Sequence, residues 1–168
     1  PAAERGWQAG VAKVNISPDL PIWLSGYASR TKPAESKHDE LWAKALVLED
    51  SAGHRALLVT MDLVGIDREL SLDVCNTLTK KYNLPRSAIA LSTSHTHSGP
   101  IIRGNLTAMY DLDEDQARRI DEYKEELTEK LVTLVGDAMN ALKPAKVATG
   151  IGKAEFAVNR RNNPEGQV

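Results

Sequence analysis

The chain has 168 residues, of which 42% are apolar and 26% charged, the balance of a single globular domain large enough to bury a core. A net charge of −2 and a pI near 6.1 give no footing for a nucleic-acid or anionic-membrane partner, and no apolar run approaches the roughly 20 residues that a bilayer crossing needs. The lone cysteine, Cys75, excludes an intrachain disulfide and reads as a small buried thiol within a helical pattern.

An opening strand is expected over 9–17, AGVAKVNIS. Residues 18–40, PDLPIWLSGYASRTKPAESKHDE, follow as a long connection rich in Pro, Gly and Ser; connections of that length are usually functional or disordered. LWAKALVLED (41–50) and RALLVTMDLVG (55–65) form a hairpin across the turn DSAGH. The second is almost continuously apolar, which predicts a strand buried on both faces. Asp67 caps a helix that carries Leu70, Val74, Leu78 and Tyr82 on one side and ends at NLPRS.

AIALSTS (88–94) is the next strand, and SGPIIRGNLTAMYDL (98–112) is a second long loop. From Asp113 to Leu142, Ile120, Tyr123, Leu127, Leu131, Leu134 and Ala138 recur at helical spacing. Asp113 and Gln116 suggest a capping box, and Lys143-Pro144 stops the helix. AKVATGIGKAEFAVN (145–159) reads as strand-rich and bent at its glycines. The order strand, helix, strand, helix, strand argues for an α/β sheet with right-handed crossovers. If the helix from Asp67 joins 55–63 to 88–94, those strands are parallel and Asp62 and His95 end at one edge.

LSTSHTHSGP (91–100) carries the chemistry. Residues i and i+2 of a strand share a face, so a strand continuing through His95 and His97 sends both rings into one cavity. Imidazole suits both zinc ligation and proton transfer near neutral pH. The plainer alternative is a polar strand end with one solvated and one hydrogen-bonded histidine. Asp62 either orients a histidine ring or caps the turn at 65–67. Of the other histidines, His54 lies in the hairpin turn, and His38 in the first long loop either reaches the site or stays at the surface. Metallo-β-lactamases need Asp-His where this chain has Gly99-Pro100. Cupins lack the long helix, and amidohydrolase barrels need a far longer chain.

HTHSGP (95–100) resembles the signature of the neutral/alkaline, non-lysosomal ceramidase family, with Ser94 at the small residue before it. AGVAKVNISP (9–18), LSGYASR (24–30), LWAKALVLED (41–50) and LLVTMDLVGI (57–66) are similar to that family's successive elements, and AVNRRNNP (157–164) to its Asn-Arg-Ser-Pro segment. The resemblance implies an α/β fold with a mixed sheet and flanking helices. It implies that His95 is a zinc ligand, that His97 handles protons at the scissile amide, and that Arg160 lies in the same pocket. Arg161 and Asn162 depart from the family's Ser-Pro. The implied reaction is zinc-dependent hydrolysis of N-acyl sphingoid bases or a related lipid-like amide. A hydrolase of other amide or ester specificity, or a non-catalytic binding relative, stays open.

A catalytic zinc takes three protein ligands and a water. His95 is the one metal ligand the resemblance assigns, with Asp62 and His38 as outer candidates. The family's remaining ligands come from further along a longer chain. The expectation is therefore that 1–168 is the incomplete N-terminal portion of a larger catalytic domain, completed by the rest of the polypeptide or a companion chain. A secreted, periplasmic or cell-surface location is expected. Trp23, Tyr27, Ile101, Ile102 and Met109 either line an apolar entrance or pack the two loops locally.

Overall fold

The computed structural model describes residues 6–156. Among them, β1 (Gln8–Asn15), β2 (Trp42–Glu49), β3 (Arg55–Met61), β4 (Ile89–Thr93) and β5 (Lys143–Pro144) form one sheet in the order β4-β3-β2-β1-β5. Only the β3–β4 pairing is parallel; β1–β2, β2–β3 and β1–β5 are antiparallel. The sheet is mixed, as the family resemblance implied. The hairpin register pairs Glu49 with Arg55 at the turn and Ala43 with Met61 at the far end.

Helix α1 (Arg68–Tyr82) connects the parallel pair. Asp67 starts it, its Oδ1 accepting from the Leu70 N–H at 2.8 Å, and left-handed Asn83 ends it. Helix α2 (Glu114–Asn140) is capped by Asp113, whose Oδ1 accepts from the Gln116 N–H at 2.7 Å. Only half of the expected capping box forms, because Oε1 of Gln116 is buried without a partner among the described residues. Leu70, Val74, Cys75 and Leu78 of α1 and the Ile120–Ala138 stripe of α2 join Ala43, Val47, Leu57, Val59 and Met61 in one core.

The strand at 55–65 is not buried on both faces. Leu57, Val59 and Met61 are buried while Ala56, Leu58 and Thr60 are exposed, so among the described residues one face of the strand alone is covered. Residues 145–156 form no strand. The last ladder contact is Ala145 N–H to Trp7 O at 2.8 Å; beyond it Ile151 and Phe156 are exposed. A strand needs a partner for its backbone groups, and no described segment offers one. Residues 157–159 lie outside the described residues.

Three contacts fix the layers. Gly10 lies so close to α2 that a Cβ there would stand 2.0 Å from the Ala138 carbonyl oxygen. The buried Tyr123 hydroxyl donates to Ile16 O at 2.7 Å, where β1 gives way to the first long loop. Lys124 reaches from α2 to the start of α1, donating to Asp67 Oδ2 at 3.0 Å and Glu69 Oε2 at 2.6 Å. No described helix is long and apolar enough to cross a membrane.

A candidate active site at the carboxyl edge of the sheet

Strands β3 and β4 end side by side, with Met61 opposite Thr93, and the Ser94 N–H still donates to Met61 O at 3.0 Å. The strand does not continue through the histidines. His95 turns the chain with a φ of 59°, a left-handed conformation that histidine adopts more readily than most side chains. Strand alternation therefore is not what unites the two rings. The turn brings them together instead, with centroids 5.1 Å apart and planes inclined at 65°.

His95 is exposed, and its Nδ1 lies 2.8 Å from the carbonyl oxygen of Val64. A carbonyl only accepts, so Nδ1 carries the hydrogen, and in the neutral ring the lone pair is then on Nε2. Asp62 takes no part in this: its Oδ2 accepts from the Trp42 N–H at 3.0 Å, and its own N–H donates to Trp42 O at 3.0 Å. It locks the end of the β2–β3 ladder, which is neither role expected of it. The carbonyl of Val64, a residue with no chemical signature in the sequence, orients the ring.

His97 is half-buried beneath the first long loop. Tyr27 meets its ring edge-on at 4.8 Å, and Arg30 donates to its carbonyl oxygen. The two long loops are tied to each other, since Ser25 N–H donates to Gly99 O at 2.8 Å and Ile101 N–H to Trp23 O at 3.0 Å. Trp23, Ile101 and Ile102 are buried, which places them in local packing; Tyr27 and Met109 are exposed.

Beside the histidines a cleft of ≈ 460 Å³ runs between Leu20, Leu24 and Lys37 of the first loop and Thr96 and Ser98. His38 lies on its rim, 97% exposed and 3.0 Å from the Asp39 carboxylate. His54 is at the hairpin turn, 2.9 Å from Asp50. Arg160 lies outside the described residues. Among those described, no third histidine, cysteine or carboxylate joins His95 and His97 in a metal-binding cluster.

The sequence model of the neutral/alkaline non-lysosomal ceramidase N-terminal region matches residues 7–164. The chain belongs to that family. It is 27% identical over 166 residues to a neutral ceramidase of Pseudomonas aeruginosa, covering 93% of this chain and 23% of that protein. A neutral ceramidase of Drosophila pseudoobscura pseudoobscura is 31% identical over 101 residues, or 58% of this chain and 14% of the relative. The crystal structure of neutral ceramidase from Pseudomonas aeruginosa superposes with a TM-score of 0.66 at 26% identity, over 84% of this chain and 23% of that one. A ceramidase complexed with C2 gives 0.65. The chain thus spans under a quarter of the length of these ceramidase relatives, and its fold is that of their N-terminal region.

Proposed function

We propose that this chain forms the N-terminal part of a zinc-dependent amide hydrolase that cleaves N-acyl sphingoid bases. The observation that carries the reading is the His95 ring, whose Nδ1 is engaged by the Val64 carbonyl at 2.8 Å while Nε2 stays available at an exposed position. That is the arrangement of a metal-ligating imidazole, with one nitrogen held by an acceptor and the other free to bind. The donor chemistry fits zinc, and His95 would hold it with ligands supplied from beyond the described residues. When bound there, zinc polarises a carbonyl and lowers the pKa of a bound water to about 7.

The chain's own groups would do the rest. His97, its ring centroid 5.1 Å from that of His95, is placed to pass a proton to the departing amine. Arg160 would stabilise negative charge on the carbonyl oxygen or hold the substrate. The cleft walled by Leu20 and Leu24 offers apolar surface next to polar Thr96 and Ser98, which suits a lipid-like amide. The site is completed by the rest of an enzyme-length polypeptide or by a companion chain.

The test is the zinc content and ceramide turnover of an enzyme-length protein carrying this segment. The wild type should retain zinc and release free fatty acid. His95→Ala should lower zinc affinity by more than the roughly tenfold that loss of a ligand's supporting partner already costs. Retained zinc with turnover of other amides or esters alone would move the substrate class. Intact histidines without zinc would mark a non-catalytic binding relative.

A further inference from the structure

We propose that Arg30 is a positioning residue for His97, fixing its backbone while Tyr27 and Gly26 wall in its ring. The inference rests on the reading of His97 as the proton carrier. An imidazole in that role must come within about 2.6–3.2 Å of the atom it serves, and a misplacement of about 1 Å can cost on the order of 100-fold in rate. His97 has no strand ladder to supply such precision, because β4 ends at Thr93.

The first long loop supplies it. Arg30 Nη2 donates to the His97 carbonyl oxygen, and the same guanidinium lies 5.3 Å from the centre of the Tyr27 ring. Tyr27 in turn meets the His97 ring at 4.8 Å, with planes at 72°. One cation thereby contacts both the main chain of residue 97 and the aromatic wall beside its side chain. Gly26 completes the seat: a Cβ there would stand 2.5 Å from Cγ of His97, and φ is +120°. The ring therefore rests on bare backbone that only glycine provides.

Two further observations favour positioning over loop packing. The loop is already anchored without Arg30, through the Ser25–Gly99 and Trp23–Ile101 backbone bonds. The guanidinium is also aimed at residue 97 and not at the loop it belongs to: among the described residues its one hydrogen bond goes to the His97 carbonyl, and Nε has no partner. Arginine is required because its planar fork donates and stacks at once, whereas lysine offers a point charge. His95 is oriented separately by Val64, so the two histidines have independent supports.

Histidine-labelled protein tests this by NMR of the ring signals. In Arg30→Gln, His97 ring signals should shift and broaden as the ring comes to exchange between positions on the μs–ms timescale, while His95, whose ring lies 5.1 Å away, keeps its linewidth and its Nδ1–H form and His54 is unmoved. Arg30→Lys should recover only part of the effect, and Tyr27→Phe should leave His97 as in the wild type. Melting each variant first restricts the comparison to folded protein; if Arg30→Gln does not fold, Arg30→Lys against wild type carries it. Unmoved His97 signals, or His95 and His97 loosening together, would overturn the inference. In an enzyme-length protein Arg30→Gln should lower kcat about 10- to 100-fold with KM within about twofold; a change confined to KM would also overturn it. Failure of the functional reading would show differently, as wild-type protein that takes up no zinc.

Discussion

The Nδ1 atom of His95 lies 2.8 Å from the Val64 carbonyl, 31 residues earlier in the chain, so a main-chain acceptor on one strand exit sets the tautomer of a histidine on the next. Long-range proton–nitrogen spectra of the neutral ring should show a protonated Nδ1 and a pyridine-like Nε2 for His95. A dominant Nε2–H form would remove the free donor on which metal binding at this position depends.

Replacing Gly10 by alanine should be among the most damaging single-methyl additions to this fold. The new Cβ would meet Ala138 O at 2.0 Å and Leu142 N at 3.0 Å, both backbone atoms that yield only if α2 moves. Overpacking of this kind costs about 1–3 kcal/mol and sometimes more. Urea unfolding of Gly10→Ala against wild type measures it, and a loss under about 0.5 kcal/mol, the ordinary scale of surface changes, would contradict the packing described.

Lys124→Met should destabilise by about 1–3 kcal/mol, the scale for stranding a charged partner with little access to water. Asp67 is only 9% exposed and loses its cation, while Glu69 at 75% contributes little. Burial pulls the Lys124 ammonium down, but its bonds to Glu69 and Asp67 outweigh that and leave it raised. The contribution is thus complete below the unfolded lysine pKa of about 10.4 and is lost as pH climbs through the raised folded value. Chemical unfolding at neutral and strongly alkaline pH should show the wild-type advantage shrinking.

Glu40 responds in the opposite direction. Its carboxylate binds Lys37, Ser17 and Asn15, which hold its pKa at about 2, below the ordinary 4.5. Stability from this group is present above the unfolded value and disappears as pH falls towards 2. The stability gap between wild type and Glu40→Gln should accordingly narrow on acidification across that window. A gap independent of pH, read from acid-range urea curves, would show that Glu40 does not staple the end of β1 to the entry of β2.

What the sequence made legible was local. Asp67 and Asp113 announced their helices because a cap acts within three residues, and DSAGH announced a hairpin because its turn does too. The parallel β3–β4 pair followed from the helix between them. The one-sided burial of β3 is hidden in the sequence because Ala56 and Leu58 put apolar side chains on its outer face and mask the alternation. Residues 145–156 have strand-like composition but no ladder partner among the described residues. At the site, HTHSGP marked the histidines, whereas Val64 and Arg30 act over 31 and 67 residues through a carbonyl that every residue possesses and a guanidinium common on surfaces. The signal available in advance was LSGYASR, where a glycine and an aromatic precede an arginine within one loop.

The bond from the Tyr123 hydroxyl to Ile16 has an optical consequence. Burial, with a smaller push from Glu126, drives that phenol far above its ordinary value of 10.0, so the folded molecule retains a proton that a released chain surrenders near pH 10. The ultraviolet band of its phenolate can grow only as α2 lifts from the sheet. Of the four tyrosines, Tyr123 is thus the one whose share of that band, taken as the difference between wild type and Tyr123→Phe, marks in alkali the moment at which the domain comes apart.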